Sequence, residues 1–177
     1  MSQNVGALFL DSAVHRFRST KELGDKALAQ LDEADFLWRP GPESNSICVI
    51  IQHLHGNMLS RWTDLLSSDG EKPWRERDAE FTEPAAADRA HLMALWEEGW
   101  ACLMKAIDGL AADDLALDVV IRGQSLSVLD AINRQLTHYS YHVGQIVYLA
   151  RARRGDTWNT LSIARGASKQ YSPRKRD

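Results

Sequence analysis

Two histidines four positions apart, His138 and His142, stand in the stretch QLTHYSYHVGQIV, whose apolar residues recur at helical spacing. On a helix that spacing projects both rings from one face, within reach of a single ion. Neutral imidazole is a common ligand for zinc and related divalent metals. The pair lies at the shoulder of the apolar stripe, beside Gln135, Gln145 and Leu149, so the rings face between helices. Two imidazoles make a poor site, and a third ligand has to come from another helix. The segment ICVIIQHLH offers His53 and His55. They sit on opposite shoulders of its stripe, His55 slightly nearer the centre, and periodicity does not choose between them. The plainer alternative is that His138 and His142 are two hydrogen-bonded histidines at a helix shoulder. His15 and His91, each isolated in a polar stretch, read as surface residues.

Other chemistries find little support. Nothing resembles a Ser-His-Asp triad or a phosphate-binding loop. Cys48 and Cys102 are the only cysteines and each lies in an apolar helical stretch, so they read as small core residues and not as a disulfide framework. Net charge is −3 with a pI near 6.1, and charges of both signs are interleaved along the chain; no nucleic-acid partner is expected. The apolar run Ala7–Leu10 is too short for a signal peptide, and no stretch approaches the ~18 apolar residues of a membrane span. The expectation is a cytoplasmic protein with no membrane partner. Six tryptophans, at 38, 62, 74, 96, 100 and 158, are accounted for by core and crossover packing.

Four amphipathic helices are expected to position these residues, over about 4–31, 46–67, 86–110 and 127–154. The loop WRPGPESN ends at a cap for the second helix near Ser46, and SSDG offers it a stop. Residues 69–85 hold two prolines and many charges but also Trp74 and Phe81, which suggests an ordered crossover between helices two and three. Leu117–Leu126 is a β-branched run broken by Gly123, fitting a small hairpin or extended loop. Ser127 with Asp130 opens the fourth helix as a capping-box variant, and Arg151, Arg153 and Arg154 precede Gly155, where cations suit the helix dipole. The tail 155–177 has enough apolar content, at Trp158, Leu161, Ile163 and Tyr171, to pack in part, and its last residues, SPRKRD, read as a solvated basic end. At 177 residues one domain with one core is expected. The architecture is an all-α four-helix bundle with a long crossover, which by itself names no activity.

The string HYSYHVGQI, preceded by an apolar helix that carries Gln52, His53 and Leu54, resembles the DinB-like superfamily, also called YfiT-like. The loop WRPGPESNSI, the crossover EKPWRERDAEF and the tail LSIARGAS are similar to one uncharacterised branch of it. The resemblance covers nearly the whole chain. It implies up-down-down-up topology and a divalent metal held by one histidine of helix two and two of helix four, here His53, His138 and His142. His55 is then a surface or packing residue.

Three imidazoles leave coordination positions open, as in catalytic rather than structural sites. An ion there would lower the pKa of a bound water or thiol. Zinc or nickel suits the donor set first, with iron or manganese also compatible. Active members of the superfamily are thiol-dependent S-transferases and isomerases, so the resemblance implies a metal-dependent enzyme using a small thiol against an electrophile, and a homodimer. A hydrolase using metal-activated water is one alternative, and a non-catalytic, stress-associated, metal-binding dimer is another. A third is a bundle that has lost its metal. Supporting candidates are Asn57, one turn beyond His53; Gln135 and Gln145, one turn either side of the histidine pair, as orienting partners; and Arg61 and Arg134, placed to meet the carboxylate of a peptide-like thiol. Each has a plainer use, as a polar shoulder residue or a surface ion pair.

Overall fold

The computed structural model describes residues 4–170. Four helices, α1 (Val5–Leu28), α2 (Ile47–Trp62), α3 (Arg89–Asp108) and α4 (Val128–Arg154), carry the chain, and a hairpin of β1 (Asp118–Ile121) and β2 (Gln124–Ser127) precedes α4. The fold is mostly helical, with this small antiparallel sheet added to the all-α expectation. Each helix opens on a side chain that accepts a first-turn N–H: Asn4 from Gly6 and Ala7, Ser46 from Val49, Asp88 from His91 and Ser127 from Asp130. These caps satisfy donors that helix geometry leaves without intrahelical partners.

Helix α1 packs chiefly against α4, and α2 against α3. Their shared core includes Phe17, Trp62, Trp96, Trp100 and Tyr139. Phe17 meets Trp62 edge-on with ring centroids 5.9 Å apart, and Trp100 meets Tyr139 likewise at 5.9 Å. Gly24 admits the Trp96 ring, because a Cβ there would lie 2.6 Å from it, and the indole N–H donates to Asp25 at 2.7 Å. In α3 the buried seam runs through Trp96 and Trp100, with Leu95 only half-buried.

Several expected boundaries move. Helix α1 ends at Leu28, not near 31, its last carbonyls taken by tighter turns at Gln30 and Leu31. Helix α2 ends at Trp62 and not at 67: Thr63 is extended and Asp64 has φ 49°. Ser60 and Arg61 hold the Gly70 carbonyl, and the Gly70 N–H donates to Val120, so the chain is drawn into the crossover before SSDG. Helix α3 starts three residues late, at its Asp88 cap, and ends at Asp108. On α1, Val5 and Leu8 are exposed although they continue the apolar period. Trp74 is 53 % exposed and does not pack into the core. Tyr171 and the basic end at 172–177 lie outside the described residues.

The hairpin turn is Arg122-Gly123, both residues at positive φ (56° and 71°), as a type I′ two-residue turn requires. Both N–H groups donate to the Asp69 carboxylate at 2.9 Å. Those two bonds tie the hairpin to the crossover and bring Arg122 to the end of α2. No described helix is long and apolar enough to cross a membrane.

Candidate metal centre

On α2, His53 faces α4, and its Nε2 lies 3.2 Å from His138 Nε2. His142 completes the group: one ligating nitrogen from each of the three rings lies within 4.8 Å of the others, and ring centroids are 4.8–5.3 Å apart. His53 and His142 are buried and His138 is half-buried. Two nitrogens each about 2.0–2.1 Å from a tetrahedral ion stand roughly 3.3 Å apart, close to the His53–His138 separation. This cluster could hold a metal ion.

Hydrogen bonds set two of the tautomers. His53 Nδ1 lies 3.0 Å from Glu80 Oε2. Burial alone would raise the Glu80 pKa, but hydrogen bonds from Arg75 and His53 outweigh it and hold the carboxyl below its ordinary value. Glu80 is therefore an anionic acceptor, His53 Nδ1 donates to it, and the Nε2 lone pair is left facing the cluster. His142 Nδ1 donates to Gln145 Oε1 at 2.8 Å. Its Nε2 is buried with no partner among the described residues, an arrangement that costs free energy unless something fills it. Burial first, then the neighbouring histidines, pushes His138 down to about 3; burial and then His53 push His142 down to about 4. Both rings are neutral at physiological pH, with lone pairs available.

The crossover supplies the anion behind His53. Arg75 grips Glu80 in a two-pronged pair, Nε to Oε1 at 2.7 Å and Nη2 to Oε2 at 2.8 Å. Glu80 sits in a short 3-10 turn, Ala79–Phe81, and reaches His53 because residue 56 is glycine: a Cβ there would overlap the carboxylate. Phe81 covers the His53 ring at a centroid distance of 4.9 Å.

The other expected residues fall as follows. Asn57 is buried and accepts from the Tyr139 hydroxyl at 3.1 Å, which in turn accepts from Trp62 Nε1 at 2.9 Å; it also lines the cavity over the histidines. Gln145 orients His142, whereas Gln135 is buried with its Oε1 unpartnered. Arg61 is buried and committed to Gly70, Ser60 and Glu71, and is no surface ion pair. Arg134 is exposed at the cavity wall. His55 turns to α3 and pairs with Glu98 at 2.9 Å, so the two shoulders of α2 serve different neighbours. His15 lines a larger groove of about 770 Å³ between α1 and α4, with no second histidine or cysteine beside it among the described residues. His91 is exposed in the first turn of α3. Both cysteines are free thiols, and burial pushes Cys48 up to about 11.

The cavity over the histidines has a volume of about 410 Å³, within the range of small-molecule sites. The family model described as "Protein of unknown function (DUF1572)" matches residues 4–167. The chain belongs to this family. No curated protein matches it. Membership in DUF1572 brings no reaction with it, so any activity has to be argued from the histidines, Glu80 and the cavity. Glu80, Arg75 and Phe81 are absent from the candidates that the sequence suggests. The crossover string EKPWRERDAEF contains all three without indicating what they touch, and Gly56, a glycine inside an apolar helix directly after His-Leu-His, is the signal that another part of the chain approaches closely there.

Proposed function

We propose that His53, His138 and His142 of this DUF1572 member hold one divalent metal ion, zinc or nickel by preference, in an enzyme acting on a small molecule. The observation that carries this reading is the buried, partnerless Nε2 of His142, directed with the His53 lone pair into one cluster by acceptors on the far side of each ring. Carboxylate or amide partners behind imidazoles are the usual means of orienting metal ligands. A bound ion would supply Lewis acidity and would lower the pKa of a coordinated water or thiol.

The protein's own groups then have definite tasks. Glu80 and Gln145 hold ring orientation, Phe81 shields His53 from solvent, and Asn57, fixed by Tyr139, offers a polar group to whatever enters the cavity. The open cavity favours an enzyme over a closed structural site, and a DinB-like S-transferase using a small thiol is the reaction class we favour. Pairing of α1 with α4 and α2 with α3, and the crossover between α2 and α3, support an up-down-down-up bundle.

Elemental analysis of tag-free protein tests the reading. About one divalent ion per chain is expected in the wild type, with at least tenfold loss in both His53→Ala and His138→Ala. A wild type that takes up no zinc or nickel when supplied with either overturns it.

A further inference from the structure

Five arginines line the cavity over the histidines: Arg61, Arg75, Arg77, Arg122 and Arg134. They come from α2, the crossover, the hairpin turn and α4, so no single helix face accounts for them. Among the described residues no aspartate or glutamate lines the same space. Three carboxylates stand behind it, and one of them, Asp69, accepts from the Arg122 and Gly123 N–H groups and lies within range of the Arg61 charge. Glu71 is shared by Arg61 at 3.1 Å and Arg122 at 3.0 Å, and Glu80 is gripped by Arg75. Five guanidiniums against these three carboxylates leave an excess of positive charge in the wall, before any ion is counted.

Two features say that this charge is unmet. The Arg75 side chain is 2 % exposed, yet its buried Nη1 has no hydrogen-bond partner among the described residues. A buried cationic donor left this way is costly unless an acceptor arrives. Among the described residues neither Arg77 nor Arg134 has a carboxylate partner; Arg77 lies over the Phe81 ring at 5.2 Å, and Arg134 stands on α4 one turn before His138. Both are exposed, and both line the same cavity as the histidine cluster.

We infer that the cavity takes a small organic polyanion, its acid groups carboxylate or phosphate, seated on Arg75, Arg77 and Arg134 with its remaining functional group over the histidines. Guanidinium presents paired donors that match the oxygens of either acid group. A low-dielectric wall of one charge sign also raises the local concentration of such a ligand. The inference deepens the metal-enzyme reading by naming its substrate class. The arginine wall does not need the ion in order to bind, so the two readings fail separately.

The test is calorimetric titration of the full chain, as metal-free and as zinc-loaded protein, with glutarate, inorganic phosphate and, as the uncharged match, glutaramide. Glutarate or phosphate is expected to bind at least tenfold more tightly than glutaramide in both forms, and to weaken with added salt. The Arg77→Ala/Arg134→Ala double variant, whose side chains lie at the exposed wall, should weaken it a further tenfold or more, with partial recovery in Arg134→Lys. Tighter glutarate binding assigns a polycarboxylate and tighter phosphate binding a phosphate ester; either supports the inference. Equal binding of glutarate and glutaramide, or anion binding unchanged in the double variant, overturns it. Zinc uptake in the same samples reports separately on the histidines.

Discussion

His53 donates through Nδ1 to Glu80 and His142 donates through Nδ1 to Gln145, and these two bonds decide what the three imidazoles can do. Without them each ring could rotate or adopt the other tautomer, and the lone pairs would not converge. Replacing Glu80 by Gln keeps an acceptor for His53 but removes the anion and its pairing to Arg75. Metal affinity is expected to fall by about 10–100-fold, the usual cost of losing such a partner, measured by competition against a chromophoric chelator. Unchanged affinity in Glu80→Gln would show that the carboxylate does not tune His53. At this scale the sequence was informative about the i, i+4 pair and silent about its supports. Spacing on α4 puts His138 and His142 on one face whatever surrounds them, but His53 and His55 occupy equivalent shoulders until the neighbours of α2 are known.

Three glycines show how the elements meet, and they predict opposite outcomes for one substitution. Gly144 lies in α4 with open space where a Cβ would be, so Gly144→Ala should stabilise the protein by about 1 kcal/mol through helix propensity alone. Gly24 packs against the Trp96 ring, and Gly24→Ala should destabilise it by about 1–3 kcal/mol through overpacking. Urea denaturation of the two variants beside wild type separates these signs. Gly56 has a third role, since its missing side chain is filled by Glu80. Helix existence was legible from apolar periodicity and caps, as at Ser46 and Ser127. Helix ends were less so: α2 stops at Trp62 because Ser60 and Arg61 bind the Gly70 carbonyl, a contact no local pattern announces.

Over the whole molecule, the loop after α1 is tied to the end of α4. Asp35 accepts from Arg153 Nε at 2.6 Å, and Arg154 Nη1 stands 3.6 Å from its other oxygen. Burial acts to raise the Asp35 pKa, but the hydrogen bonds from Arg153 and from the Asp32 backbone, with both arginine charges, lower it overall. An acid whose folded pKa is depressed stabilises the fold above its unfolded pKa of about 3.9, and that stability is lost as pH falls through the folded value. Asp35→Asn should therefore cost about 2 kcal/mol near pH 7, and the gap to wild type should close as pH drops below about 4. Chemical denaturation at pH 7, 5 and 3.5 checks the sign; a gap that widens in acid would reject it.

Periodicity and capping residues, which act within a few turns, determined the four helices and the face on which His138 and His142 lie, and the β-branched run with Gly123 left a hairpin and an extended loop both open. Long-range closure decided the rest. Only when the crossover folds back onto α2 does Glu80 reach His53, and only when that crossover meets the hairpin turn do arginines distant in sequence surround one cavity. Those contacts depend on which segments share a surface, and no local spacing in the chain encodes that.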